Sequence, residues 1–483
     1  MISPRKTTYA GLNTFNPQPV TANIRNDSFL GSVSDQLIVG AKGVFDTRIS
    51  VKQFDATIYP SVGSGGMVLA PDVNAGSYFN HQDRSSRRAE WLSTYSFTPI
   101  GPEHVIKLGT AVTHEWFDGV SRSDPVRVVR ADGTLSQLTE FAGDGELARA
   151  KTAVYGYVQD FWSVAPRLTV QYGARYDYDS IAGDMNVAPR ASFTGVATAD
   201  GRTVVRGGLG LFYSPIPLNV ATVEQLQRRV VTAFAGDGVT PLEPSVELPN
   251  TVRSPLRMPR SVNATIEVDR EWIRNFFVRV GYQEREQRFE PVVDAEPAAI
   301  VLRVDGRSHY REGQISARYQ FHGTDQIVGS YTRSSAIGNL NDFNGFFGNI
   351  ENPIIRPDAR GPLPWDAPNR VLLWSSVSLP RGFSIFPVLD VRTGFPYSNV
   401  DADRNFVGPR NEAGRYPRFV SLDAQIAKKL RLFNHNATIG LKVFNITDHF
   451  NPRDYQGNLA SRYFGRFDNS VGRTFRGKWI FEF

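Results

Sequence analysis

From Arg167 to Asp179 the chain alternates without a break, with Leu168, Val170, Tyr172, Ala174, Tyr176 and Tyr178 on one side and Thr169, Gln171, Gly173, Arg175 and Asp177 on the other. A period of two marks an extended strand with one apolar and one polar face. The pattern returns at Val262 to Asp269, Phe276 to Gln283, Gln314 to Phe321, Val420 to Ile426 and Ala437 to Val443. A chain made of many such strands must find a cover for a long series of apolar faces. That cover is either a second protein layer or lipid.

The last stretch, Gly472 to Phe483, sharpens the choice. Phe475, Trp479, Phe481 and Phe483 fall two apart with Gly477 between them, while Arg476, Lys478 and Glu482 take the other face and Ile480 is the exception. With no later segment to supply a second layer, lipid is the expected cover. An amphipathic terminal strand ending in Phe is similar to the assembly signal of bacterial outer-membrane barrels, so these four aromatic residues are the expected contact for the barrel-assembly machinery.

Connection lengths carry the strongest argument. Short links near Pro99 to Glu103, Ala165 to Pro166, Ala199 to Gly201, Arg270 to Arg274, Gly323 to Asp325, Pro380 to Gly382 and Leu432 to Asn434 alternate with long ones. The long ones run from Asp118 to Glu146, Ser214 to Arg257, Glu284 to Arg311, Ser335 to Asn369, Gly394 to Tyr416 and Thr447 to Val471. Short turns on one rim and long loops on the other characterise a transmembrane antiparallel up-and-down β-barrel. The expectation is an all-β chain of about 16–18 strands, each of about 9–11 residues, whose polar faces line a lumen. No repeat of propeller length is present. Residues 1–34 are polar with little periodicity and are expected to be irregular or a loop remnant, leaving 35–483 as the barrel domain.

Composition agrees with this reading. Aromatic residues make up 12% of the chain, and 42 Gly and 30 Pro suit many strands joined by turns. No run approaches the roughly 18 apolar residues of a membrane helix. The mean hydropathy of −0.29 is what alternation produces, since only every second residue faces lipid. The absence of Cys removes disulfide scaffolds and thiolate chemistry. A net charge of +6 spread along the chain, with no basic stripe, argues against a nucleic-acid partner. Met1 to Val20 contains no apolar signal-peptide core, so the expectation is a mature or truncated chain.

Five segments in order resemble the barrel of TonB-dependent outer-membrane receptors, specifically the Oar-like group that carries a carboxypeptidase-regulatory-like domain. They are Tyr155 to Asp179, Asn186 to Phe193 (NVAPRASF), Arg206 to Tyr213 (RGGLGLFY), Phe444 to Asp454 (FNITDHFNPRD) and Asn469 to Lys478 (NSVGRTFRGK). The resemblance implies a location in the cell outer membrane and a full barrel of about 22 strands, of which this chain would be an incomplete part. It also implies an N-terminal plug, for which there is no room here, and uptake of a bulky, scarce solute. The TonB complex would be a partner only if a plug exists upstream. An alternative is a surface or adhesion protein whose long outer loops bind matrix or partners without transport; a soluble carbohydrate-binding or hydrolytic all-β protein is a third.

Site chemistry is sparse. Asp401, Asp403, Asn405 and Glu412, and separately Asp342, Asn344, Gly345 and Glu351, echo a calcium loop. Phe406 stands where the first needs Gly, however, and Leu340 where the second needs its first ligand, so polar outer loops explain both better. The seven histidines never fall at metal-ligand spacing. The expectation is no cofactor, no resident metal and no enzyme activity. Gly207, Gly208 and Gly210 within one strand point to a bend or a close side-chain approach in the wall.

Overall fold

The computed structural model describes residues 2–98, 101, 103–348, 350–432 and 435–482. One sheet holds twenty strands, antiparallel throughout except where a three-residue addition at Asn250–Val252 pairs in parallel; a second three-residue addition lies at Arg360–Pro362. The other eighteen form the wall. In chain order they are β1 (Ile2–Ala10), β2 (Ala22–Ile38), β3 (Gly43–Pro60), β4 (Asn80–Phe97), β5 (His104–Ser123), β6 (Glu146–Ala165), β7 (Leu168–Asp179), β8 (Met185–Val196) and β9 (Thr203–Tyr213). They continue as β10 (Arg260–Ile273), β11 (Phe276–Glu296), β12 (Ala299–Gln320), β13 (Gln326–Asn339), β14 (Asn369–Leu379), β15 (Phe383–Arg392), β16 (Phe419–Leu432), β17 (His435–Phe444) and β18 (Thr474–Glu482). Each pairs with its neighbours in sequence, as an up-and-down barrel wall requires. Among the described residues, β1 is paired only to β2 and β18 only to β17.

Register fixes which side each residue faces. Val33, Ile49, Trp91, Val112, Val154 and Tyr178 are successive direct partners across β2 to β7, so all six lie on one face. That face is exposed where a soluble sheet would be covered: Val33 is 77%, Ile49 60% and Trp91 45% accessible. Leu209, Val280, Ile315, Leu373, Leu441, Phe475 and Trp479 extend the exposed apolar band round the rest of the wall. No companion sheet or helix packs over it among the described residues. A continuous apolar band of this kind is stable only against hydrocarbon. Trp162 and Trp272 lie close to the short-turn ends of β6 and β10, where an interfacial girdle is expected.

The short turns gather at one rim as the spacing predicts. Arg274 and Asn275 join β10 to β11, and Asn275 takes φ 66°, the left-handed conformation that tight hairpins favour. The expected links at Pro99 to Glu103 and Leu432 to Asn434 fall partly outside the described residues.

Three expectations need correcting. Residues 1–34 are not irregular: they hold β1 and most of β2, so the boundary at 34/35 falls inside a strand. Polar Asn26, Asp27 and Ser28 hide the alternation, but ladder bonds to β1 and β3 hold the backbone extended. Glu284 to Arg311 is not a loop either, because β11 and β12 stay paired up to a link of Pro297 and Ala298, with Ala295 opposite Ile300. Lastly, several strands exceed bilayer length, β12 reaching 22 residues. Beyond the lipid band a strand no longer needs an apolar outer face, so its alternation lapses while its backbone ladder continues.

Candidate functional site

Two features border the enclosed space: the polar inner wall and the outer loops above it. On the inner wall, register places Arg88, Glu115, Lys151, Arg175, Arg190, Arg206, Glu267 and Arg279 on the face opposite the apolar band. Most of these charges meet one another. Arg88 contacts Glu90 and lies 3.6 Å from Glu115, Lys151 lies 3.4 Å from Glu115 and 3.1 Å from Asp179, and Arg175 reaches Asp177 at 2.7 Å. Further round, Arg206 is 2.9 Å from Glu267, and Arg279 is 3.5 Å from Glu267 and 2.8 Å from Asp269. The Arg190 guanidinium stacks over Phe212 at 4.2 Å.

Gly210 makes that stack possible. A Cβ there would lie 2.9 Å from Phe212 and 3.2 Å from Arg190, and one at Gly207 would lie 2.5 Å from Phe193 on the lipid side. The close side-chain approach expected of these glycines is therefore present, and it accounts for the RGGLGLFY and NVAPRASF segments as packing partners across β8 and β9.

The outer loops fold on one another. Val20, Ile58, Met67, Leu69, Tyr78, Phe79, Val126 and Val128 form one buried cluster, joined by Ile354 from the loop between β13 and β14. A second cluster unites Ile216, Val220 and Val223 with Val293, Leu302, Phe343 and Phe346. The loops at the two ends of the sheet also meet: the Thr14 N–H donates to Asp454 at 2.8 Å, and Arg462 lies 2.9 Å from Asp72. The wall therefore curls right round at its outer rim, although β1 and β18 are not paired.

The β13–β14 loop reaches furthest. Glu351 accepts a hydrogen bond from Gln82 of β4 at 2.8 Å and one from Ser121 of β5 at 3.4 Å, nine and eight strands back from β13. Its backbone N–H donates to the Tyr78 hydroxyl at 2.9 Å, and buried Arg229 donates to the Pro353 carbonyl at 2.7 Å. Burial pushes the Glu351 carboxyl up to about 7, against the pull of Arg229 and Arg84, and holds Arg229 down to about 10.

The calcium-like residues are engaged otherwise. Asp342 accepts from the Asn344 N–H at the start of a short helix while Glu351 is at the far wall, and Asp401 accepts from Asn405 while Asp403 bonds Ser136. Among the described residues no three His, Asp or Glu side chains converge as metal ligands. On β18, Phe475, Trp479 and Phe481 share the lipid face, with Phe475 62% and Trp479 66% exposed; Phe483 lies outside the described residues. The FNITDHFNPRD segment staples the last outer loop to the wall. Asn445, at φ 49°, donates to the carbonyls of His449 and Val471, and Asn451 both donates to and accepts from the Val420 backbone, tying the last outer loop to β16. The Glu351 anchorage was not visible to sequence reasoning, because its partners lie more than two hundred residues away in the chain.

Comparison with known proteins follows the same line. No family model matches the chain. Over 180 residues it is 31% identical to the TonB-dependent transporter Oar of Myxococcus xanthus, a match covering 31% of this chain and 17% of that protein. The outer membrane transporter YddB from Escherichia coli superposes over 99% of this chain and 65% of its own, with TM-score 0.65 and 14% identity. The ferric citrate transporter FecA covers 95% of this chain and 62% of its own, with TM-score 0.59 and 12% identity, and the siderophore receptor PirA from Acinetobacter baumannii gives TM-score 0.61 at 13% identity over 96% of this chain and 63% of its own. The chain thus spans less than two thirds of each of these relatives. Among these relatives are transporters and receptors, and none is an enzyme. Eighteen antiparallel strands, a lipid-facing apolar band and these likenesses make the chain an outer-membrane β-barrel protein with the fold of the TonB-dependent receptors, similar in sequence to their Oar-like group.

Proposed function

We propose that this chain forms the wall and ligand-capturing face of a TonB-dependent uptake system. The observation that supports it most is the shared core of the outer loops, which reaches across a charged lumen from β13 to β4 and β5. Loops held together in this way can sequester a solute above the channel. Energised passage would then require a plug segment coupled to TonB, a step implied by the resemblance. The test compares a strain lacking this chain with a strain lacking TonB, each scored for solutes depleted from defined medium. A shared set of undepleted solutes is expected; uptake that persists without TonB would overturn the reading.

A second reading, surface adhesion without transport, has one observation in its favour. The β11–β12 hairpin, with strands of 21 and 22 residues, is long enough to carry its turn beyond the lipid band. It predicts lost attachment with unchanged uptake when Asp294 to Leu302 is replaced by a short turn.

Assembly is part of the proposal. The outward row Phe475, Trp479 and Phe481 would be read by the barrel-assembly machinery and then meet lipid. Replacing Phe475 and Trp479 together by Ala should lower the amount of chain in the outer membrane; an undiminished level would remove this role.

A further inference from the structure

The inner wall from β14 to β18 differs from the rest. Arg370, Arg392, Lys429, Lys442, Arg476 and Lys478 share the lumen face by direct register. Among the described residues, only Arg370 of these six has an acidic partner, Asp390, held by two bonds of 3.0 and 2.9 Å. Where this wall meets the loops after β15 and β17, a cavity of about 680 Å3 opens, lined by Arg392, Phe395, Tyr416, Phe419, Phe444 and Arg453, among others.

Its chemistry is specific. The Arg392 guanidinium lies over two rings, 4.3 Å from the Phe419 centroid and 4.9 Å from that of Phe395, and has no carboxylate within ion-pair distance among the described residues. Arg453 likewise has no acidic partner there. Asp423, the carboxylate lining the same space, has its Oδ1 occupied by the Ser421 hydroxyl at 2.6 Å and the Asn445 N–H at 2.8 Å. Tyr416 continues the apolar side into a cluster with Tyr397, Tyr455 and Phe467, ring centroids 3.9 to 5.9 Å apart along its closest contacts. A guanidinium in contact with two ring faces keeps its planar donor edge for an anion, while the rings and Tyr416 offer a flat apolar surface.

We propose that this cavity is a binding subsite for an organic anion with a planar apolar body, its carboxylate or comparable acidic group on Arg392 and its ring system against Phe419, Phe395 and Tyr416. The proposal names a solute class for the uptake reading and rests on it only for its biological meaning. Its test is binding by the isolated protein, so a chain that binds but proves dispensable for uptake fails only that reading.

The probes are 2-naphthoate and its neutral counterpart 2-naphthamide, titrated calorimetrically against the full chain in lipid nanodiscs, with empty nanodiscs as blank. Saturable naphthoate binding is expected, with naphthamide about tenfold weaker or more. Arg392→Gln and Phe419→Ala should each weaken naphthoate by about tenfold, while Lys478→Gln, an exposed lysine on the same wall, should stay within about twofold. Absence of saturable binding, equal affinity for the amide, or an undiminished Arg392→Gln variant would overturn the proposal. Equal losses in Lys478→Gln would overturn it too, by showing diffuse attraction to a basic surface. The comparison of the two probes needs no variant, so it decides the matter even if a substitution prevents folding.

Discussion

Between β4 and β11 the inward charges are mostly satisfied by one another, whereas between β14 and β18 they mostly are not. The first arc carries a run of arginine, lysine and carboxylate contacts ending at Arg279 and Asp269; the second carries lysines and arginines with, among the described residues, one pair, Arg370–Asp390. Paired charges close together present little net field to a passing solute, and the buried ones bind wall to loop. Unpaired cations on an exposed lumen face contribute little to stability and instead raise the local concentration of anions. The difference separates residues that hold the barrel from residues free to work in it.

The contrast is most easily broken at Lys151. This side chain is 2% exposed beside a fully buried Asp179 and also donates to the Ile216 carbonyl at 2.5 Å. Lys151→Met should cost about 3–5 kcal/mol, because Asp179 is left buried without its cation. Urea denaturation of the folded species measures it, and a loss under about 1 kcal/mol would put this pair on the footing of a surface one.

Gly210→Val comes next, at about 1–3 kcal/mol, since the added atoms collide with the Phe212 and Arg190 stack. The same denaturation series reads it, and tolerance would mean the ring can move aside.

A pH series probes the loop that links the two arcs. Burial raises the Glu351 carboxyl from 4.5 to about 7, so the folded chain keeps a proton that the unfolded chain releases in that interval. Stability should therefore fall as pH rises from 4.5 to about 7 and level off above it, and Glu351→Gln should flatten this component. A rise over the same window would reverse the sign of the assignment.

Smaller effects belong to the second arc. A double-mutant cycle on Arg370 and Asp390 should give about 0.2–1 kcal/mol, the Arg370 side chain being 46% exposed. Arg476→Gln should change stability by no more than about 0.5 kcal/mol. It should nonetheless lower anion preference in a reversal-potential measurement.

The strands that write themselves most clearly in the sequence are those with lipid outside and water inside along most of their length. β7 and β18 alternate because both solvents act on them at once, and the turn at Asn275 follows from the left-handed conformation a tight link favours. β2 is hidden where Asn26, Asp27 and Ser28 interrupt the apolar face, and the outer ends of β11 and β12 resemble a loop in sequence because no lipid enforces a pattern there. The loop site was illegible for another reason. Glu351 looked like the end of a calcium loop, and only the curled wall brings it to Gln82 and Ser121. Arg392 and Phe419 stand far apart in sequence and become neighbours through the β15–β16 register.

The Glu351 anchorage has a mechanical side. A segment rooted beside β14 and fastened to β4 and β5 acts as a spoke across a hoop: the outer aperture cannot widen along that diameter, or flatten at right angles to it, while the spoke stays seated. On the proposed uptake reading, a solute too wide for the gaps beside it would first have to loosen the Gln82 and Ser121 grip, and its arrival from outside would become one event with a change in the outline of the rim.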